Sequence, residues 1–219
     1  MFEVGPRFEY PQCVHDLQLY KDYGVFMELF MRKCLCKKHQ QPLMDKNPIE
    51  VQGLIPILEK AYLSCADGNN DALDIVNDIK IVALLHRSDF GEAMEVDYDN
   101  LRAIQQYIET LPFDRMSCKQ SLDMECGQVH INGVADFIFD DSVVLQVSTS
   151  MFEKPYPYKC SKVLFYALAH YYKYYYPLEK QYTLMLYNPL LGIRHEKIIN
   201  INADLFNRIR SQINSIYSN

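Results

Sequence analysis

Near Gln128 the apolar residues of this chain change their period. Upstream they recur every three or four positions. Downstream, through QVHINGVADFIF and VVLQVS, they recur at every second one. A helix returns side chains to one face about every 3.6 residues, whereas a strand alternates them between two faces. One kind of element cannot serve both halves. The change predicts a single domain over residues 1–219, with a helical part at 1–112 and an α/β core at 113–219. A chain of 219 residues is long enough to bury one substantial core.

In the first part, Leu17, Tyr20, Phe26, Leu29, Phe30 and Leu35 fall at helical intervals between Val14 and His39, with Gly24 as a break or close-packing point. Lys33, Lys37 and Lys38 crowd the last turn, where cations complement the helix dipole. Three further helices are expected over Asn47–Cys65, Asp71–His86 and Tyr98–Leu111, with ADGNN as a loop after the first of them. Asp67, Asn69 and Asp71 have the spacing of a calcium loop, but Ala72 stands where its glycine is needed.

In the second part, Asn132-Gly133 supplies the two left-handed residues of a type I′ turn, so QVHI and VADFIF are expected to form a hairpin. DDS at 140–142 then leads to VVLQVS, the third strand of a meander. A long helix over 158–176, the strands QYTLMLYN and IRHEKIIN joined by PLLG, and a last helix from near Asn202 complete the chain. The expected class is α/β: a helix-rich chain with a central mixed sheet of about five strands flanked by helices.

Composition narrows the function. A formal charge of −6 gives no overall attraction to phosphate, so a grip on nucleic acid would need a local basic patch. There is no run of 18 apolar residues and no basic-then-apolar leader, which predicts an intracellular protein of cytoplasm or nucleus without a membrane partner. The seven cysteines, Cys13, Cys34, Cys36, Cys65, Cys118, Cys126 and Cys160, are odd in number. They read either as reduced, partly buried thiols or as candidates for disulfides between chains. Cys34, Cys36 and His39 offer only three ligands, so no zinc site is expected there. His86, His130, His170 and His195 are scattered over different elements, and no G-x-S-x-G, P-loop or H-E-x-x-H motif is present.

One constellation carries chemistry. Metal-dependent phosphodiester hydrolysis needs carboxylates on adjacent strands and an amine beside the nucleophile. Asp136 in GVAD is followed ten residues later by Gln146, with Ser148 two positions on, in LQVST. These fragments resemble the core of the PD-(D/E)xK nuclease superfamily, in its RecB-like and viral alkaline-exonuclease branches. YGVFME, with Gly24 and Glu28, is similar to the first-helix motif of those branches, and KVLFYA, with Lys162 and Tyr166, to the helix that follows their core.

The resemblance implies a metal-binding aspartate at Asp136, but Gln146 stands at the family's glutamate and Ser148 at its lysine. It therefore implies a degenerate site with no catalytic residue and no metal. If activity survives, the resemblance assigns it to Glu28, Asp136, Gln146 and a relocated Lys162, with Mg²⁺ or Mn²⁺ at Asp136 and DNA as substrate. Asp140 and Asp141 sit in a turn and do not replace the missing carboxylate.

Seventeen tyrosines accompany no tryptophan, and eight of the tyrosines, Tyr156, Tyr158, Tyr166, Tyr171, Tyr172, Tyr174, Tyr175 and Tyr176, lie within 156–176. A helix with tyrosine on every face cannot bury them all. The surplus serves as solvated hydroxyls, as a base-stacking surface with Lys159, Lys162 and Lys173, or as a self-association surface drawn from Tyr171, Tyr172, Tyr174, Tyr175 and Tyr176.

With an emptied nuclease-like core and surplus cysteines, the chain is similar to the occlusion-body (polyhedrin) proteins of insect large DNA viruses, of the nudivirus kind. That resemblance implies a viral structural protein whose partner is itself. Alkali would open such an assembly as cysteines ionise near pH ~8.5 and tyrosines near pH ~10.

Overall fold

Two runs that do not alternate, VVLQV and LMLYN, are buried at every position and lie side by side at the centre of a mixed sheet. Strands covered on both faces read as continuous apolar runs, because neither face meets water. The computed structural model describes residues 3–4, 30–40, 98–148, 154–188 and 191–217.

The strands are β1 (Glu3–Val4), β2 (Met116–Cys126), β3 (Val129–Phe139), β4 (Val143–Val147), β5 (Lys180–Asn188) and β6 (Ile193–Ile201), in the spatial order β1-β6-β5-β4-β3-β2. All neighbours are antiparallel except β4 and β5. Five long strands with a two-residue edge and flanking helices make this the α/β class expected.

Four helical segments are described: α1 over residues 30–38, α2 (Tyr98–Thr110), α3 (Pro157–Tyr174) and α4 (Ala203–Tyr217). The parallel β4–β5 pair requires a crossover, and α3 supplies it. Pro157 occupies the first turn of α3, where its missing N–H costs nothing. The side-chain oxygen of Asn202 accepts from the Leu205 N–H at 2.9 Å, which caps α4.

Tyr182, Leu184 and Leu186 of β5 join Val163, Tyr166, Ala167 and Tyr171 of α3 and Phe206 of α4 in one core cluster. On the alternate position of β5, Tyr187 packs on Tyr107 of α2 with ring centroids 5.1 Å apart. Helices therefore cover the sheet from both sides. Ile108, Glu109 and Leu111 at the end of α2 offer carbonyls to Lys38, whose ammonium donates to all three. Lys38 thus neutralises the carbonyl end of a neighbouring helix as well as its own.

The meander is present, but its first turn lies elsewhere. β3 runs unbroken through Asn132 and Gly133, which pair with Asp123 and Leu122 of a long β2. The chain reverses at Gly127-Gln128, where Gly127 has φ 65 and a Cβ would lie 2.2 Å from Asn214. The left-handed pair of a type I′ turn is Asp140-Asp141, with φ 48 and 54, and Ser142 N–H returns to the Phe139 carbonyl at 3.0 Å.

Gly133 is needed for a different reason. A Cβ there would lie 2.6 Å from Cε1 of Tyr166 on α3. Absence of a side chain lets the helix approach the sheet. The helices expected over Asn47–Cys65 and Asp71–His86 lie outside the described residues.

Candidate functional site

The β2–β3 ladder pairs every position from Met116–Phe139 to Cys126–Val129 except one, Lys119 opposite Asp136. Lys119 has φ 51 there. Ala135 and Ile138 both belong to the core cluster under α3, so the two-residue alternation of β3 also breaks at Asp136.

The register sets Lys119 opposite Asp136, and their side chains meet. Lys119 Nζ donates to Asp136 Oδ1 at 2.7 Å, in a pair whose side chains are 17% and 5% exposed.

The second carboxylate oxygen is equally occupied. Gln146 Nε2 donates to Asp136 Oδ2, and the Val147 N–H reaches the same oxygen at 3.2 Å. Asp136, Gln146 and Ser148 are all buried. Ser148 is held by its backbone, whose N–H donates to the Tyr187 carbonyl at 2.9 Å. Gln146 Oε1 is buried without a hydrogen-bond partner. A buried carboxylate with an ammonium, an amide and a backbone N–H around it is a satisfied ion.

The structure thus places Gln146 against Asp136, while the contact described for Ser148 is its backbone bond to Tyr187. The amine beside them is not Lys162. That residue is exposed on α3, with its ammonium 5.6 Å from the centroid of the Tyr166 ring. Lys119 went unnoticed in the sequence because it lies in a strand that was not read as one. Glu28, Cys13, Cys65 and His86 lie outside the described residues.

Asp140 and Asp141 remain turn residues: Asp140 accepts from the Arg115 N–H at 2.8 Å, and Asp141 pairs with the Arg115 guanidinium at 3.3 Å. A polar hollow of about 380 Å³ lies there, walled by His39, Asp114, Arg115 and both aspartates, and not by Asp136 or Gln146.

His170 and the tyrosines divide by burial. His170 is 2% exposed, and its Nδ1 hydrogen-bonds the Tyr182 hydroxyl at 2.9 Å. Burial, with Lys180 and Lys173 acting in the same sense against Asp141, pulls its pKa down to about 4. Burial also pushes the phenols of Tyr182, Tyr171 and Tyr175 upward.

Of the five assembly candidates, Tyr171 is fully buried in the core and Tyr175 half-buried, while Tyr172, Tyr174 and Tyr176 are exposed. Tyr172 stacks on Phe206 with centroids 5.2 Å apart and planes 6° from parallel. Tyr156 and Tyr158, at the opposite end of α3, are exposed as well.

Among the described cysteines, Cys34, Cys36 and Cys126 are buried, while Cys118 and Cys160 are intermediate. No group of three metal-ligating side chains occurs among the described residues. None of the described helices is long and apolar enough to cross a membrane. No protein family, curated protein or solved structure matches this chain.

Proposed function

We propose that this chain is a non-catalytic, self-associating structural protein of the occlusion-body type, built on a degenerate nuclease-like scaffold. The observation that carries the non-catalytic half is the state of Asp136, whose two oxygens are taken by Lys119, Gln146 and the Val147 N–H. A divalent cation at Oδ1 would have to displace an ammonium already paired there, and Gln146 beside it is neutral. Hard cations such as Mg²⁺ and Mn²⁺ are held by carboxylate-rich oxygen sets. This donor set does not fit them. The carboxylate serves instead to tie β2, β3 and β4 together.

The nuclease-like ancestry is supported by the order of elements, a three-strand meander, a crossover helix and a parallel strand, and by the contact of Gly133 with Tyr166. The self-associating half is supported by the exposed rings of Tyr156, Tyr158, Tyr172, Tyr174 and Tyr176, with Leu178 69% exposed beside them. Tyrosine offers large contact area at low ordering cost, which suits it to interfaces.

Light scattering on the purified protein from pH 7 to pH 11, with and without reductant, tests association. The expected result is large particles at neutral pH that dissolve in alkali. A monodisperse monomer or dimer across the range would overturn it.

A second reading has its own observation. Lys159 lies 5.4 Å from the centroid of the Tyr158 ring and Lys173 5.4 Å from that of Tyr174, so cations and aromatic faces alternate along α3. Such a surface suits single-stranded nucleic acid. Salt-dependent binding of a labelled oligonucleotide, lost when Lys159, Lys162 and Lys173 become alanine, would favour it.

A further inference from the structure

Aromatic rings enclose His170 on α3. The Tyr182 ring of β5 meets it edge-on with centroids 5.9 Å apart, and the rings of Tyr174 and Tyr175 lie 4.8 Å and 5.8 Å away. Its Nδ1 is 2.9 Å from the Tyr182 hydroxyl, so the imidazole ties the helix to the sheet. The residue is 2% exposed, yet it stands in the last turn of a helix that stops at Tyr174.

Other ties reach the same end. Gln120 Nε2 on β2 donates to the Tyr174 hydroxyl at 3.1 Å, and the Lys180 ammonium on β5 lies 4.5 Å from the centroid of the Tyr175 ring. Around them Tyr172, Tyr174 and Tyr176 turn their rings outward. His170 therefore stands between the core and the exposed tyrosines.

The imidazole can hold this place only while it is neutral. An imidazolium would be a buried cation with both nitrogens donating, and a buried charge needs a counterion. Among the described residues, the charged groups facing it supply none. Lys180 on β5 and Lys173 on α3 repel a further cation, and Asp141 at the β3–β4 turn is already paired with Arg115 at 3.3 Å. In acid the surrounding phenols carry no charge. Burial, against Asp141 and together with the two lysines, accordingly lowers the His170 pKa to about 4.

We propose that His170 is an acid-sensitive latch on the tyrosine surface: its protonation frees the last turn of α3 from β5 and disperses the arrangement of Tyr172, Tyr174 and Tyr176. The consequence, disassembly in acid, rests on the self-association proposed above; the latch itself does not. An opened end lets the imidazole take a proton that the closed end refuses, so acid favours opening increasingly from pH ~6.5 down to about 4 and adds little below that. The opening is local because Val163, Tyr166 and Ala167, earlier in the helix, are held in the core cluster. Helix ends open at a lower cost than whole domains.

The test is hydrogen exchange of the full chain, read by mass spectrometry at pH 6.5 and at pH 4, with labelling times corrected for the intrinsic pH dependence of exchange. At pH 4 the amides of residues 169–176 should exchange roughly tenfold faster or more, while those of β4 keep their protection. In His170→Gln that acceleration should be lost. A helix end equally protected at both pH values, one that speeds up equally in the variant, or one that opens only together with β4 would overturn the latch. Should the variant fail to fold, the comparison of the helix end with β4 in the unmodified chain decides.

Light scattering in the same buffers separates the latch from its consequence. Particles that shrink as the helix end opens are the expected result. Opening with no particles at either pH would sink the self-association reading and leave the latch standing, whereas particles that persist with the end open would overturn its control of assembly.

Discussion

Lys119 Nζ lies 2.7 Å from Asp136 Oδ1 at the single unpaired position of the β2–β3 ladder. Two charges this far from water owe their tolerance to each other, and removing one leaves the other without compensation. Lys119→Met should therefore cost about 3 kcal/mol of folding stability in urea or guanidinium titrations. In an Asp136→Asn background the same change should cost about 1 kcal/mol or less, because no buried anion remains. Equal costs in the two backgrounds would show that the pair is not coupled.

Gly133→Ala places a methyl group 2.6 Å from Cε1 of Tyr166, inside the contact between β3 and α3. Tyr166 is buried and cannot swing into solvent. The substitution should destabilise by about 1–3 kcal/mol, the usual cost of overpacking. Tyr166→Leu, which shortens the facing side chain, should reduce that penalty when the two are combined. The check is a thermal or urea unfolding series on the four variants, in which additive effects would contradict the contact.

His170 gives the fold an acid limb. Its pKa in the folded protein is about 4, below the 6.5 of an exposed histidine, so between these values the unfolded chain binds a proton that the folded chain refuses. Stability should fall as pH drops from about 6.5 to about 4, by about 2–3 kcal/mol, and this contribution should level off below that range. His170→Gln should flatten the limb. Chemical denaturation at a series of pH values measures it, and an unchanged slope in the variant would assign the limb to other groups.

Much of the core was legible. The last two strands, α2, α3 and α4 lie within a few residues of where period and turn chemistry put them, because each carries its own apolar stripe or run. The first turn of the meander was not. Asn132-Gly133 has the chemistry of a turn, but the glycine is there so that Tyr166 can approach, and Gly127 takes the turn instead.

β2 was missed because the alternation of Leu122, Met124 and Cys126 is parted from the buried Met116 by the run SCKQS, which is not buried. Missing that strand hid Lys119, and with it the partner of Asp136. Once β2 is paired with β3, the register sets Lys119 opposite Asp136, so the signal was a charged residue at one position of a strand, readable only after pairing. The tyrosine stripe likewise concealed that Tyr171 points into the core, because the chain around it is aromatic on both sides of the helix.

The most direct measurement is cleavage of single- and double-stranded DNA by the purified chain with Mg²⁺ or Mn²⁺, beside an Asp136→Ala control. If Asp136 serves to hold three strands together through Lys119, Gln146 and Val147, both proteins should leave the substrate intact to the same background. Metal-dependent cleavage by the unmodified chain that disappears with Asp136→Ala would contradict the account, since it would require a metal where the structure places an ammonium.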